Sequence, residues 1–336
     1  MGAPPVTVIL PVYNESAEID RCLESLAAQD YGGELTIVVA EGGSADDTPQ
    51  RVAAWGERLA GLAVIPNPDR RQSPGLNRAA RAATSEILVR ADGHTTYDPD
   101  YVRTSVDALE ELGRGWAVGG NMRPAGRGTF GRAVAAAMNS RFTMGPARFH
   151  HWDRRTEVDT VYLGAFRRDE FLAVGGFRSF PSGAAEDADF YFRWRRSGRR
   201  IQLVPGIRSA YRPRERPASL WRQYLRYGQG KAEMLWVNGR FPSWRPLAPL
   251  LLVVGLAVCA VLAAAGTWLP GAVLAAAWLA VLAVAAVQAG RLAPLVLVAA
   301  AMMHLGYGLG MLWGLARGPR RVRDVRAAAG AGHAPR

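Results

Sequence analysis

Lysine is all but missing: Lys231 is the only one in 336 residues, so nearly every one of the 41 basic side chains is arginine. No Gly-x-x-x-x-Gly-Lys-Ser/Thr run can occur, which excludes a P-loop nucleotide site. Cysteine is nearly as scarce. Cys22 and Cys259 cannot build a disulfide framework and lie too far apart in the chain for a metal knuckle. Charge is missing from one long stretch: none of the 45 residues between Arg245 and Arg291 is Asp, Glu, Lys or Arg. One bilayer crossing needs about 20 apolar residues, so this stretch suffices for two. A 49% hydrophobic content argues against intrinsic disorder.

The net charge of +12 is unevenly spread. Residues 1–139 hold 13 basic against 18 acidic side chains, 140–245 hold 21 against 10, and 246–336 hold 7 against 1. The excess collars the apolar region, where arginines meet anionic head groups, and no nucleic-acid partner is expected. Three apolar runs follow one another: Leu247 to Ala265, a second to Ala289 after the Gly266-Thr267-Trp268 turn, and Leu292 to Ala316, interrupted by His304. Each is long enough to span. A buried soluble hairpin is the alternative, but these runs have no polar face. His304 reads either as a functional group in the membrane or as a packing group, with Gly306, Gly308 and Gly310 allowing close helix approach.

Sidedness follows from arginine. Arg240 and Arg245 precede the runs, and Arg317, Arg320, Arg321, Arg323 and Arg326 follow them. The positive-inside rule places both groups in the cytoplasm, whereas three full spans would separate them, so either one stretch only dips into the membrane or the tail breaks the rule. Two to three transmembrane helices are therefore expected over 246–316, then a basic, disordered tail over 317–336. No basic n-region precedes Val6–Val12, so no signal peptide is expected. Residues 1–240 read as a cytoplasmic domain, with a basic juxtamembrane part at 205–245, on a multi-pass protein of the inner or plasma membrane.

Within that domain strands alternate with helices. Val6–Leu10, Leu35–Val39, Leu62–Ile65, Ile87–Ala91 and Trp116–Gly119 are short runs rich in strand-forming residues. Ser16, Pro49, the Ser73-Pro74 pair and Pro99 are placed to open the helices between them. The pattern predicts an α/β fold with a doubly wound parallel sheet, and such sheets bind ligands beyond the carboxyl ends of their strands. Those ends carry Tyr13-Asn14-Glu15, Glu41 to Thr48, Asn67-Pro68 and Asp92-Gly93-His94. One acid in a loop is ordinary surface; acids or amides at four successive strand ends form a constellation. Gly126 to Gly131 matches G-x-G-x-x-G but does not join the first strand to the first helix, so it reads as a loop. His150-His151 lacks Cys or carboxylate partners at metal spacing and reads as loop surface.

These pieces resemble the family 2 glycosyltransferases of the GT-A, nucleotide-diphospho-sugar transferase fold, and among them the membrane-anchored enzymes of succinoglycan and exopolysaccharide biosynthesis. The resemblance rests on Val8 to Glu15, Glu41 to Thr48, Asn67 to Asn77, Asp92-Gly93-His94, Glu186-Asp187 and Gln223 to Tyr227, in order over residues 6–231. It implies a nucleotide-diphospho-sugar donor held by Pro11, Tyr13, Glu15 and Glu41, with Arg70, Arg71 and Asn77 bordering the pocket. Asp92 matches the key ligand of a divalent metal, Mg2+ or Mn2+, which neutralises the leaving diphosphate. His94 stands where a second acid is common and is either a metal ligand or a contact to sugar or phosphate. Asp187 inherits the role of the base that deprotonates the acceptor hydroxyl, with Glu186 orienting it. Gln223, Arg226 and Tyr227 match the Q-x-x-R-W element on the acceptor and diphosphate side, with Tyr in place of Trp.

The implied activity is inverting transfer of one sugar to a lipid-linked acceptor of polyprenyl-diphosphate type, or to a glycan, in envelope or exopolysaccharide synthesis. Two other readings stand beside it: a non-catalytic sugar-nucleotide-binding subunit of a synthase complex, and a membrane-bound nucleotidyl or phosphoryl transferase. The first has no use for a base, and the second predicts a triphosphate fingerprint that the chain lacks.

Overall fold

The computed structural model describes residues 2–145, 153–241 and 244–331; His150 and His151 lie outside the described residues. In chain order the elements are β1 (Val6–Val12), α1 (Ile19–Ala27), β2 (Leu35–Glu41), α2 (Thr48–Gly56), β3 (Leu62–Pro66), α3 (Gln72–Ala82), β4 (Ile87–Arg90), β5 (Thr95–Tyr97), α4 (Tyr101–Leu112) and β6 (Trp116–Pro124). Then come α5 (Gly128–Met138), α6 (Arg141–Met144), β7 (Thr156–Glu157), β8 (Tyr162–Arg167), α7 (Arg168–Ala173), α8 (Glu186–Arg196), β9 (Arg200–Tyr211) and α9 (Pro217–Asn238). The apolar helices α10 (Leu247–Ala264), α11 (Leu269–Val287) and α12 (Ala293–Ala316) follow, with α13 (Arg323–Ala331) last. The chain forms two compact units. One holds Met1–Arg123, Arg148–Ser179 and Glu186–Tyr211; the other holds Pro124–Ala147, Phe180–Ala185 and Arg212–Arg336.

The first unit is built on one sheet, ordered β3-β2-β1-β4-β8-β6-β9-β5 with β7 beside β9. Strands β1 to β4 are parallel, as the alternation predicts. Beyond them the expectation of a parallel sheet fails, because β8 runs antiparallel to both β4 and β6 and separates them. Its Leu163-Gly164-Ala165-Phe166 run is buried throughout, the composition of a central strand covered on both faces. Side chains alternate across β1 with the strand period of two. Val6, Val8, Leu10 and Val12 pack with Ile19 and Leu23 of α1 and Val102 of α4. Ile9 faces the other way, into the cluster of Leu76, Leu88, Phe166, Phe190 and Trp194.

Three helix starts differ from the reading of the sequence, one of them Pro99, which precedes the N-cap Asp100 of α4 and lies outside the helix. Ser16 caps nothing: its N–H donates to Asp46 Oδ2 (3.1 Å), and the chain stays in turns until Ile19. Helix α3 begins at Gln72, after an extended Arg71, so Ser73 and Pro74 sit inside its first turn. Pro49 lies in the first turn of α2 as expected. Gly128 to Gly131 open α5 instead of forming a loop.

In the second unit the apolar runs are helices. Among the described residues, three helices are long and apolar enough to cross a membrane. The 18 residues of α10 reach about 27 Å at 1.5 Å per residue, close to a hydrocarbon core. On α12, Gly306, Gly310 and Gly314 recur every fourth residue and meet α9. A Cβ at Gly310 would fall 2.1 Å from the Leu225 carbonyl oxygen, and one at Gly228 2.0 Å from that of Tyr307. The two backbones touch, which only glycine permits. Gly308 turns instead to Pro249 of α10. His304 is a packing group. Its Nδ1 accepts from Trp278 Nε1 (3.2 Å) and its Nε2 lies 3.0 Å from the Thr143 carbonyl, joining α12, α11 and α6. The tail also differs from expectation: after Gly318 it makes a 3-10 turn at Pro319–Val322 and then α13, with Val322 buried.

Candidate active site

The four parallel strands deliver their polar ends to one edge. Glu41 closes β2, Glu15 follows β1, Asn67 follows β3 and Asp92 follows β4. The first two loops are laced together. Asn14, in the left-handed region (φ 54°), accepts the Ala45 N–H at Oδ1 (2.8 Å), while its own N–H donates to Ser44 Oγ (2.9 Å). The Glu15 N–H donates to Thr48 Oγ1 (2.8 Å), and Thr48 Oγ1 donates to Asp46 (2.5 Å). The Glu41-to-Thr48 motif is therefore first a device that shapes this edge.

Glu41 folds back on its own loop, its two oxygens accepting the N–H groups of Gly43 and Ser44 at 2.8 Å each. Partial burial works against its charge, but a bond from the Ser44 side chain together with these backbone bonds prevails and holds its carboxyl below the usual range. Tyr13 is exposed and lies over Gly42; Pro11 is half-buried one residue before the end of β1. Arg70 and Arg71 are exposed, and Arg70 reaches toward the Gly43 loop. Asn77 is occupied otherwise than expected. Its Nδ2 donates to the Phe177 carbonyl (2.7 Å) and its Oδ1 accepts the Phe177 N–H (2.8 Å), so its amide braces that segment.

Asp92 is buried at 5% exposure. Its N–H donates to Tyr97 Oη (2.7 Å), and its carboxylate receives Arg90 Nε and a terminal Arg90 nitrogen at 3.2 and 3.3 Å and Gln72 Nε2 at 2.9 Å. Arg90 and Gln72 escaped the reading of the sequence. The available signal was a guanidinium ending the otherwise apolar strand Ile87-Leu88-Val89. Burial opposes the charge on Arg90, but Asp92, Asp187 and Glu186 outweigh it and raise its affinity for the proton. The contacts of this arginine go to Asp92, while the acids at the start of α8, more than 90 positions later in the chain, add to the field that favours its charge.

Glu186 and Asp187 form the first turn of α8 itself, where the helix dipole favours negative charge. Glu186 is buried; Asp187 is half-buried, with Oδ1 accepting the Ala188 N–H (2.7 Å). Burial, then the adjacent Asp187 carboxylate, pushes Glu186 up to about 7 from its ordinary 4.5. Because the folded chain prefers the protonated form, this contribution to stability is complete below about 4.5 and lost as pH rises through about 7. Glu186→Gln removes the titration. Its thermal midpoint should fall less than that of the wild type between pH 5 and pH 8; parallel curves would refute a buried, protonated Glu186.

His94 Nδ1 lies 3.3 Å from Glu15 Oε1, and its ring meets Tyr211 edge-on. Among the described residues no three His, Cys, Asp or Glu side chains form a ready-made metal cage. A metal serving a diphosphate takes one or two carboxylates and completes its shell with phosphate oxygens and water, so Asp92 and His94, two positions apart beyond β4, would supply the protein's share. Gln223, Arg226 and Tyr227 lie on α9 in the second unit. There Gln223 Nε2 donates to Tyr227 Oη (2.9 Å), Arg226 is exposed, and Tyr224 is buried.

The "Glycosyl transferase family 2" model matches residues 7–172. The succinoglycan biosynthesis protein ExoA of Rhizobium meliloti (strain 1021) is 31% identical over 331 residues, 94% of this chain and 96% of its own. A dolichyl N-acetyl-alpha-D-glucosaminyl phosphate 3-beta-D-2,3-diacetamido-2,3-dideoxy-beta-D-glucuronosyltransferase of Methanococcus voltae is 21% identical over 242 residues, covering 68% and 74%. Among solved structures, the mannosyltransferase PcManGT of Pyrobaculum calidifontis, in complex with GDP-Man and Mn2+, superposes with a TM-score of 0.64 at 25% identity, covering 92% of this chain and 87% of that one. The fold is therefore GT-A. Similar to ExoA along almost its whole length and matched by the family model across its parallel strands, the chain belongs to glycosyl transferase family 2.

Proposed function

We propose that the chain is an inverting glycosyltransferase that moves one sugar from a nucleotide-diphospho-sugar to a lipid-linked acceptor, in assembly of an exopolysaccharide or envelope glycan. The observation that carries this is buried Asp92 at the end of β4, paired with Arg90, among acids and amides gathered beyond the ends of the parallel strands. The half-buried Asp187 accepts the acceptor hydroxyl's proton, the freed oxygen forms a bond to the anomeric carbon, and the bond from that carbon to the β-phosphate oxygen breaks. One displacement inverts the centre, so an α-linked donor yields a β-glycoside. Glu186, whose carboxyl is pushed up by burial and by the adjacent Asp187, carries less charge beside the base than an ordinary carboxylate, and Arg90 holds Asp92 in place.

Asp92, with His94, would hold a divalent ion, and Mn2+ in the PcManGT structure supports that choice. When bound, the ion neutralises charge on the departing diphosphate. Glu15 and Glu41 serve the nucleoside side of the donor. The apolar helices favour an acceptor that itself resides in the membrane, and the dolichyl-linked substrate in the Methanococcus relative's name agrees. The arginine collar favours a multi-pass protein of the inner membrane with its catalytic domain in the cytoplasm.

Membranes carrying the protein, incubated with labelled UDP-, GDP- and dTDP-sugars, should pass label from one donor into the organic phase. Failure of every donor to label either lipid or glycan would overturn the proposal.

A further inference from the structure

One buried acid has no part in the chemistry above. Glu233 of α9 is 2% exposed. Its Oε2 accepts the Ser182 N–H at 2.9 Å, and its Oε1 lies 3.3 Å from Arg321 Nε. Arg321 belongs to the short turn after α12, beyond the last apolar helix. Ser182 belongs to the segment Phe180–Ala185, whose chain runs straight into Glu186 and Asp187. Phe180 and Ala184 of that segment are buried. A Cβ on Gly230 would fall 2.7 Å from the Ala184 carbonyl oxygen, so α9 lies directly against it.

Ala185, the residue before Glu186, has φ 69°. The left-handed region disfavours a residue with a Cβ and persists only where the surroundings hold it. A carboxylate as buried as Glu233 must itself be compensated, and Arg321 supplies the opposite charge.

We propose that Glu233 and Arg321 are positioning residues: they brace Phe180–Ala185 and thereby set where α8 begins and where Asp187 presents its carboxylate. The inference rests on the reading of Asp187 as base. It makes turnover depend on a side chain that follows the whole apolar region, so a correctly placed C-terminal strap becomes a condition of catalysis. Misplacing a reacting group by about 1 Å can cost on the order of 100-fold in rate.

The test uses the full chain in lipid nanodiscs, with Arg321→Ala, Arg321→Lys, Glu233→Gln and the double variant Glu233→Gln/Arg321→Ala. Amide hydrogen exchange of a peptide spanning 180–187 is read alongside kcat and donor KM. Arg321→Ala should speed exchange in that peptide while peptides from β1 and β4 stay protected. It should lower kcat by roughly 10- to 100-fold and leave donor KM within about twofold. Arg321→Lys should recover part of the loss, and the double variant should be no slower than Arg321→Ala, because the two act as one unit. Unchanged exchange in both Arg321→Ala and Glu233→Gln overturns the brace, and faster exchange with unchanged kcat overturns the positioning role. The exchange measurement needs no substrate. A wild type that transfers nothing while Arg321→Ala loosens 180–187 therefore supports the brace and rejects only the proposed reaction.

Discussion

Asp187→Asn is expected to lower kcat by roughly 10²–10⁴-fold, the usual contribution of a positioned general base, with donor affinity near that of the wild type. The amide keeps the size of the side chain and can still accept the Ala188 N–H that Asp187 accepts, so the start of α8 should survive. What it cannot do is take the hydroxyl proton. Donor binding measured by calorimetry separates this outcome from a general loss of structure. The loss should fall on kcat rather than KM, because the interaction exists only in the transition state. Near-normal turnover in Asp187→Asn would remove Asp187 from the base role and leave Glu186, whose affinity for protons is already raised, as the next acid to test.

Asp92 should respond differently. Asp92→Asn is expected to abolish metal-dependent donor binding together with turnover, since a neutral amide is a poor ligand for a hard cation. Asp92→Ala should do the same and also destabilise the fold by about 3–5 kcal/mol, because it strips a buried arginine of its partner where Arg90 now makes two bonds to the Asp92 carboxylate. Comparing the two variants by thermal unfolding separates the ligand role from the structural one. Unaltered metal dependence in Asp92→Asn would sink the metal assignment. His94→Asp completes the test. If His94 is a ligand, turnover persists and preference shifts from Mn2+ toward Mg2+ as oxygen replaces nitrogen. Weaker donor binding with both metals instead assigns His94 to sugar or phosphate.

Much of the first unit was legible without coordinates. Strands β1 to β4 announce themselves as short runs of Val, Ile and Leu, and their parallel order follows from the helices between them. Acids at consecutive strand ends were legible for the same reason: the period of the elements places every strand end on one edge. Strand β8 was not legible as a neighbour of β4, because antiparallel pairing across 76 to 80 residues leaves no periodic mark. Asn77 was assigned to the donor pocket from its motif, yet its amide is committed to Phe177, a partner 100 residues away.

The sequence by itself determined that β1 to β4 and β6 are strands, which segments are apolar helices, where arginine collars them, and which acids sit at strand ends. These are properties of composition and short-range spacing, decided by contacts within a few residues. Only the tertiary structure decided that buried Arg90 pairs with Asp92, that Gly310 opens α12 to α9, and that Glu233 links Ser182 to Arg321. Each depends on burial. Removing water makes an unpaired charge or a misplaced Cβ costly, and which groups then meet is settled by packing between distant segments.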